Sequence, residues 1–229
     1  MLYRNKDLIG RTLSASDGEV GKVTDLYFDD DTWTVRYLVV DTGSWLSSRS
    51  VLISPQSLGA GSSREGPIPA TLSREQVENS PRSETHRPVS RQHEADLASH
   101  YGYPTYWFEA GFSGTGLIPI NEAMREARRA AHAADPASAA QDSHLRSVAE
   151  IVGYHIQATD GEIGHVSDFG IDPQTWQVRE MIIDTRNWLP GKHVRIDLPT
   201  IREIDWHERK VHVALPREQI KSGAEADAK

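Results

Sequence analysis

The segment FDDDTWTVRYLVVDT, residues 28–42, alternates apolar and polar side chains after its acidic start. Successive side chains of a β-strand point to opposite faces, so this period of two predicts a strand from Thr32 or Trp33 to Thr42. Trp33, Val35, Tyr37 and Val39 fall on one face, and Thr34, Arg36, Leu38 and Val40 on the other. The second half is apolar on both faces, as is Met181-Ile182-Ile183 further along. Such a strand has a core behind it and a second cover in front, which is another copy, a helix or a second subunit. Upstream, Asp17-Gly18 is a hairpin dipeptide, because both residue types tolerate positive φ. It predicts flanking strands at about Leu8–Ala15 and Val20–Asp29.

The pattern occurs twice. With an offset of 143 positions, residues 2–53 fall on 145–196 without a gap, identical at roughly 20 of roughly 50 positions. Asp17, Gly18, Glu19, Gly21, Val23 and Asp25 return as Asp160, Gly161, Glu162, Gly164, Val166 and Asp168. Thr32, Trp33, Val35 and Arg36 return as Thr175, Trp176, Val178 and Arg179, and Asp41, Thr42, Trp45 and Leu46 as Asp184, Thr185, Trp188 and Leu189. Both copies close on an Arg-Glu-Gln segment, where Ser73 suits a helix N-cap and Pro216 a first helical turn. After Ile196 the second copy continues as IREIDWHERKVHVAL, a pair of strands around a turn. The first has GAGSSREGPIPATL instead, so that edge should be looser or covered by another part of the chain. The expected organisation is copy one over 1–80, an insert over 81–144 and copy two over 145–229, with the copies packed as a pseudo-dimer.

The repeat also weighs the acid trio Asp29, Asp30, Asp31. In the second copy only the first acid survives, as Asp172, followed by Pro173 and Gln174. Hard-cation loops need more oxygen ligands than this, so the trio reads as a solvated turn and no metal site is expected there. The insert differs in character. Ser90 suits the cap of a short helix, RQHEADLASHYG, followed by the aromatics Tyr101, Tyr103, Tyr106, Trp107, Phe108 and Phe112. Then come a Gly-rich piece at Gly111–Gly116, an Ala- and Arg-rich helix EAMREARRAAHAA and a linker ADPASAAQDS. These aromatics should pack on a barrel surface or on a partner.

Composition narrows the chemistry. The 229 residues carry a net charge of −8 and no cysteine. Disulfides, thiolate catalysis and iron–sulfur ligation are excluded, and the acidic balance offers no general attraction to nucleic acid, which is not expected as a partner. The start MLYRNKDLIGR has no apolar h-region and no apolar stretch approaches the length of a membrane span. The expected compartment is therefore the cytoplasm, with a peripheral place at the inner membrane as the second option. No dinucleotide fingerprint, phosphate loop, HExxH or GxSxG is present, so no cofactor and no catalytic residue is expected. The ten histidines are scattered, without metal-ligand spacing. Asp25 and Asp168 read as buried acceptors rather than proton carriers, and Arg36 and Arg179 as their ion-pair partners or those of Asp41 and Asp184. Trp at strand ends is usually core or interface, so Trp45 and Trp188, with Tyr101, Tyr103, Tyr106 and Trp107, form the candidate interaction surface.

The DGE-G-V--D motif, the Thr-Trp strand, its VVDT or IIDT end and the closing LSREQ-type helix resemble the PRC-barrel family over about two-thirds of the chain. The resemblance implies a mainly β protein of two tandem small barrels, with short helices and a partly helical insert between them. Relatives include the cytoplasmic domain of the photosynthetic reaction-centre H subunit and the barrel domain of the 16S rRNA maturation factor. It implies a non-enzymatic protein–protein adaptor of unknown partner, able to form homo-oligomers. The alternative is an H-subunit-like accessory protein of a membrane energy-transducing complex, associated through a partner and aiding proton or electron transfer.

Overall fold

The computed structural model describes residues 2–59, 66–81, 89, 91–105, 145–185 and 193–222. It is mainly β, built on two sheets. The first copy contributes β1 (Tyr3–Arg4), α1 (Asn5–Leu8), β2 (Thr12–Ala15), β3 (Gly18–Asp29), β4 (Thr34–Asp41), β5 (Ser50–Ile53), β6 (Ile68–Pro69) and α2 (Arg74–Glu78). The insert adds α3 (Arg91–Tyr101). The second copy contributes β7 (Leu145–Ser147), α4 (Val148–Ile151), β8 (His155–Ala158), β9 (Gly161–Ile171), β10 (Val178–Asp184), β11 (His193–Asp197), β12 (Ile201–Asp205), β13 (Lys210–Val213) and α5 (Arg217–Lys221).

One sheet runs β5-β4-β3-β2-β6 and the other β11-β10-β9-β8-β13-β12. Each takes one strand from the other copy. β1, at the start of the first copy, pairs with β9, matching Tyr3 to Ile171, and β7, at the start of the second, pairs with β3, matching Arg146 to Phe28. The exchange is reciprocal, because each matched pair is the other displaced by the repeat offset. At its centre Thr34 bridges Gln177, the Val35 amide donates to the Trp176 carbonyl and the Val178 amide to the Trp33 carbonyl. The copies are therefore related by a pseudo-twofold axis through this bridge. They share one core, in which Phe28 meets Phe169 with ring centroids 6.3 Å apart.

Two local expectations change. Leu8 closes α1 rather than opening a strand, and β2 begins at Thr12. The helix is held from outside its own neighbourhood, because the Lys6 amide donates to Asp168 of the other copy. The faces of β4 also do not alternate throughout. Val35 lies in the shared core, but Tyr37 and Val39 lie in a separate cluster on the outer side of the sheet. The register steps from Phe28 opposite Val35 to Tyr27 opposite Tyr37, leaving Arg36 as an extra residue. A bulge of this kind inserts one residue and reverses the phase of everything beyond it. The same step recurs at Arg179, between Val178 and Glu180.

Candidate interaction surface

The repeated residues are occupied in holding the fold. In each copy the Asp of the Asp-Gly turn caps the closing helix: the Arg74 amide donates to Asp17 Oδ1 and the Arg217 amide to Asp160 Oδ1, both at 2.8 Å. Gly21 lies so close to the next strand that a Cβ there would sit 2.0 Å from the Asp41 carbonyl oxygen. Asp25 accepts from the Ala149 amide at 3.0 Å and from the Ser147 hydroxyl, so it caps α4 of the other copy as Asp168 caps α1. Burial pushes both carboxyls above their ordinary value, against the pull of these bonds.

The arginines take other acids than these. Arg36 lies 3.7 Å from Asp29, and Arg179 lies 3.4 Å from Asp172. Asp29 and Asp172 are also the acids that make the turns, each accepting two backbone amides from the residues that follow. That double duty explains why only the first acid of the trio is repeated. The first-copy turn is not a solvated one: Asp29 and Asp30 are buried, and Asp30 accepts from Arg146 Nε of β7 at 2.9 Å. Asp41 binds the Gly43 amide at 2.9 Å as an Asx turn. Asp184 is buried beside two histidines on flanking strands, with His165 Nε2 at 3.8 Å and His193 Nε2 at 3.9 Å. That cross-strand row could not be seen from spacing along the chain. Among the described residues no group of three or more acids and histidines is arranged to hold a metal ion.

Where the copies differ, a surface appears. On the outer side of the first sheet Tyr37, Val39 and Leu52 form an apolar patch with Leu145 of β7, and α3 lies on it through Leu97. The equivalent positions in the second copy are Glu180, Ile182 and Arg195. There Glu180 takes Arg4 at 3.2 Å and Arg195 at 3.9 Å, an ionic rather than apolar surround. Among the described residues a helix lies on this face in copy one, and α3 is the second cover that its two-sided strand required.

A cleft of about 460 Å³ lies between α3, the start of β4, the turn at Pro55–Ser57 and the second-copy turn that ends at Trp176. Arg36 and Tyr37 line it from the sheet, and Glu94, Leu97, Ala98 and Tyr101 from the helix. Those four stand at i, i+3, i+4 and i+7, one face of a helix, and Glu94 is fully buried. Glu94 and Ala98 were not singled out by sequence reasoning, although this spacing carries the signal.

Of the expected surface residues, Tyr101 and Tyr103 do line the cleft, stacked with centroids 5.9 Å apart, and the Tyr103 hydroxyl shares a hydrogen bond with Ser57. Burial pushes the Tyr101 hydroxyl up to about 12, so it stays neutral. Trp45 is half-buried and fixed within its own copy, its indole N–H donating to the Val20 carbonyl and its ring covered by Arg74 at 4.2 Å. It does not line the cleft. Tyr106, Trp107 and Trp188 lie outside the described residues, as do Ser90, the Gly-rich piece and the Ala- and Arg-rich helix expected after it. Among the described residues no helix is long and apolar enough to cross a membrane.

A comparison with curated proteins gives no match. The PRC-barrel domain family matches residues 1–65 and 144–220, stretches that hold both Asp-Gly turns and both exchanged strands. More than half of the chain is covered, and the chain belongs to the PRC-barrel family.

Proposed function

We propose that this chain is a non-enzymatic protein–protein adaptor. One observation carries the reading: residues shared by the copies are used to fold and join them, while residues that differ build an apolar outer face that receives a helix. An interlocked two-copy body is a stiff platform, and its outer sheet face is the place where a partner is recognised. The insert supplies the first cover of that face, and a cleft borders it.

The test is affinity capture of the tagged chain from its own cells after in-cell cross-linking, with membranes gently solubilised and nuclease added. A stoichiometric protein cross-linked near β4, β5 or α3 supports the adaptor. If that protein belongs to a membrane energy-transducing complex, the accessory role follows from it. Recovery of the chain alone, under conditions that retain known complexes, counts against the adaptor reading.

A further inference from the structure

We propose that one end of the second sheet is a pH-sensitive clasp, in which His165 and His193 hold β9 and β11 to the buried Asp184 of β10 when their rings are protonated and loosen when the rings are neutral. Along the sequence the ten histidines are scattered, but the fold gathers three of them on one line. His155 stands opposite His165, His165 opposite Asp184 and Asp184 opposite His193, across β8, β9, β10 and β11. Residues directly opposite one another share a face of the sheet and interact across it. The clasp does not depend on the adaptor reading.

The first copy supplies the comparison. Its row is Thr12, Lys22, Asp41 and Ser50, joined by the same three register steps. The acid is kept, and each of the other three positions holds a histidine in the second copy. The acid's surroundings change too: Asp41 is exposed, whereas Asp184 is buried. His165 Nε2 and His193 Nε2 lie 3.8 and 3.9 Å from Asp184 Oδ2, too far for a hydrogen bond but within reach of an ion pair. What each ring brings to the row is therefore its charge, and an imidazole changes charge between about pH 5 and 8. Each proton bound sets a positive charge beside the buried carboxylate and draws a flanking strand to it. Both rings share one acid, so they should titrate as a coupled pair. The surrounding charges face other groups. His155 Nδ1 lies 2.9 Å from Glu162, and Lys210, opposite His155 on β13, lies 3.1 Å from Glu208. At the far end of β10 and β11, Glu180 takes Arg195 at 3.9 Å and stands opposite Asp197. Asp168, further along β9, is met by Lys6 and Arg4. On α5, which packs on β9 and β11, Arg217 lies 3.6 Å from Asp160 and Lys221 3.4 Å from Glu218. Arg186 and Lys192, between β10 and β11, lie outside the described residues.

The experiment is hydrogen–deuterium exchange of the full-length chain at about pH 6 and about pH 8, corrected for the intrinsic pH dependence of amide exchange. β5 and β11 stand at the ends of their sheets, so both are free to open locally and β5 serves as the internal control. In the wild type β11 should open about fivefold more readily at the higher pH, the order expected of two part-exposed ion pairs, while β5 changes little. H165K/H193S installs the first copy's residues and should make β11 exchange alike at both pH values. H155T removes the ring that faces Glu162 and should leave the wild-type dependence in place. Circular dichroism checks that the double variant folds; if it does not, H193S alone serves and should reduce the ratio. Equal changes in β5 and β11, or a dependence that H165K/H193S retains, overturn the clasp. Easier opening of β11 at the lower pH reverses its sign and overturns it too. Loss of the dependence in H155T overturns the assignment to Asp184.

Discussion

Asp25 and Asp168 show how an acid repeated in both copies can be structural without being local. Each spans to the first helix of the opposite copy, Asp25 through the Ala149 amide and Asp168 through the Lys6 amide. Removing such a cap costs about 1 kcal/mol. Asp25→Ala should therefore lower the urea midpoint, and Asp25→Asn, which keeps an acceptor, should lower it less. The pH dependence has a definite sign. Both folded carboxyls are raised, so the folded state binds more protons than the unfolded state above the ordinary value of 3.8. Their contribution is present below that value and declines as pH rises through the raised values. Asp160 and Asp172 are lowered by the backbone amides they accept, so theirs is present above 3.8 and is lost as pH falls. The double variant D25N/D168N should thus gain on the wild type as pH climbs from about 4 towards neutrality; a difference that is flat with pH would refute the assignment. Gly21 makes a second case at this scale. A Cβ there meets a backbone oxygen at 2.0 Å, so Gly21→Ala should cost about 3 kcal/mol, read by denaturant unfolding.

At the scale of elements, α3 and β4 carry the argument. Leu97 is buried against Tyr37, Val39 and Leu52, but outside the common core. L97D should make the α3 amides exchange rapidly with solvent while β3 and β9 keep their protection, as hydrogen–deuterium exchange would show. In the intact chain Ala98→Leu should slow α3 exchange by filling the cleft, an increment of about 1 kcal/mol. The pattern of β4 also marks what a sequence can disclose. Alternation showed that the strand is covered twice, and a helix was one of three covers consistent with it. It could not show the bulge at Arg36, because a linear period has no sign of an added residue until the partner strand is seen. The same holds for the helix caps: Asp25 accepts from the Ala149 amide 124 residues away, and no local spacing encodes that. The candidate surface was legible as aromatic content and a helix, whereas Glu94 and the cleft depend on how α3 is rotated on the sheet.

For the whole molecule, the repeat was the most legible feature, because turns, caps and close-approach glycines constrain both copies alike. What it did not disclose was the exchange of β1 and β7, which makes each sheet depend on the other copy's first residues. The copies meet along one core and one central bridge, so they should unfold together. Phe169, fully buried against Phe28 across the pseudo-twofold axis, is the position from which to test this. Phe169→Ala removes side-chain volume from the second copy alone and should cost about 3–5 kcal/mol. The decisive measurement is native-state hydrogen exchange of this variant against the wild type, read separately in β3 and β4 of the first copy and in β9 and β10 of the second. If the copies form one interlocked body, the slowest amides of both lose the same free energy of opening. Loss confined to β9 and β10, with β3 and β4 unchanged, would mean two independent domains and contradict the account.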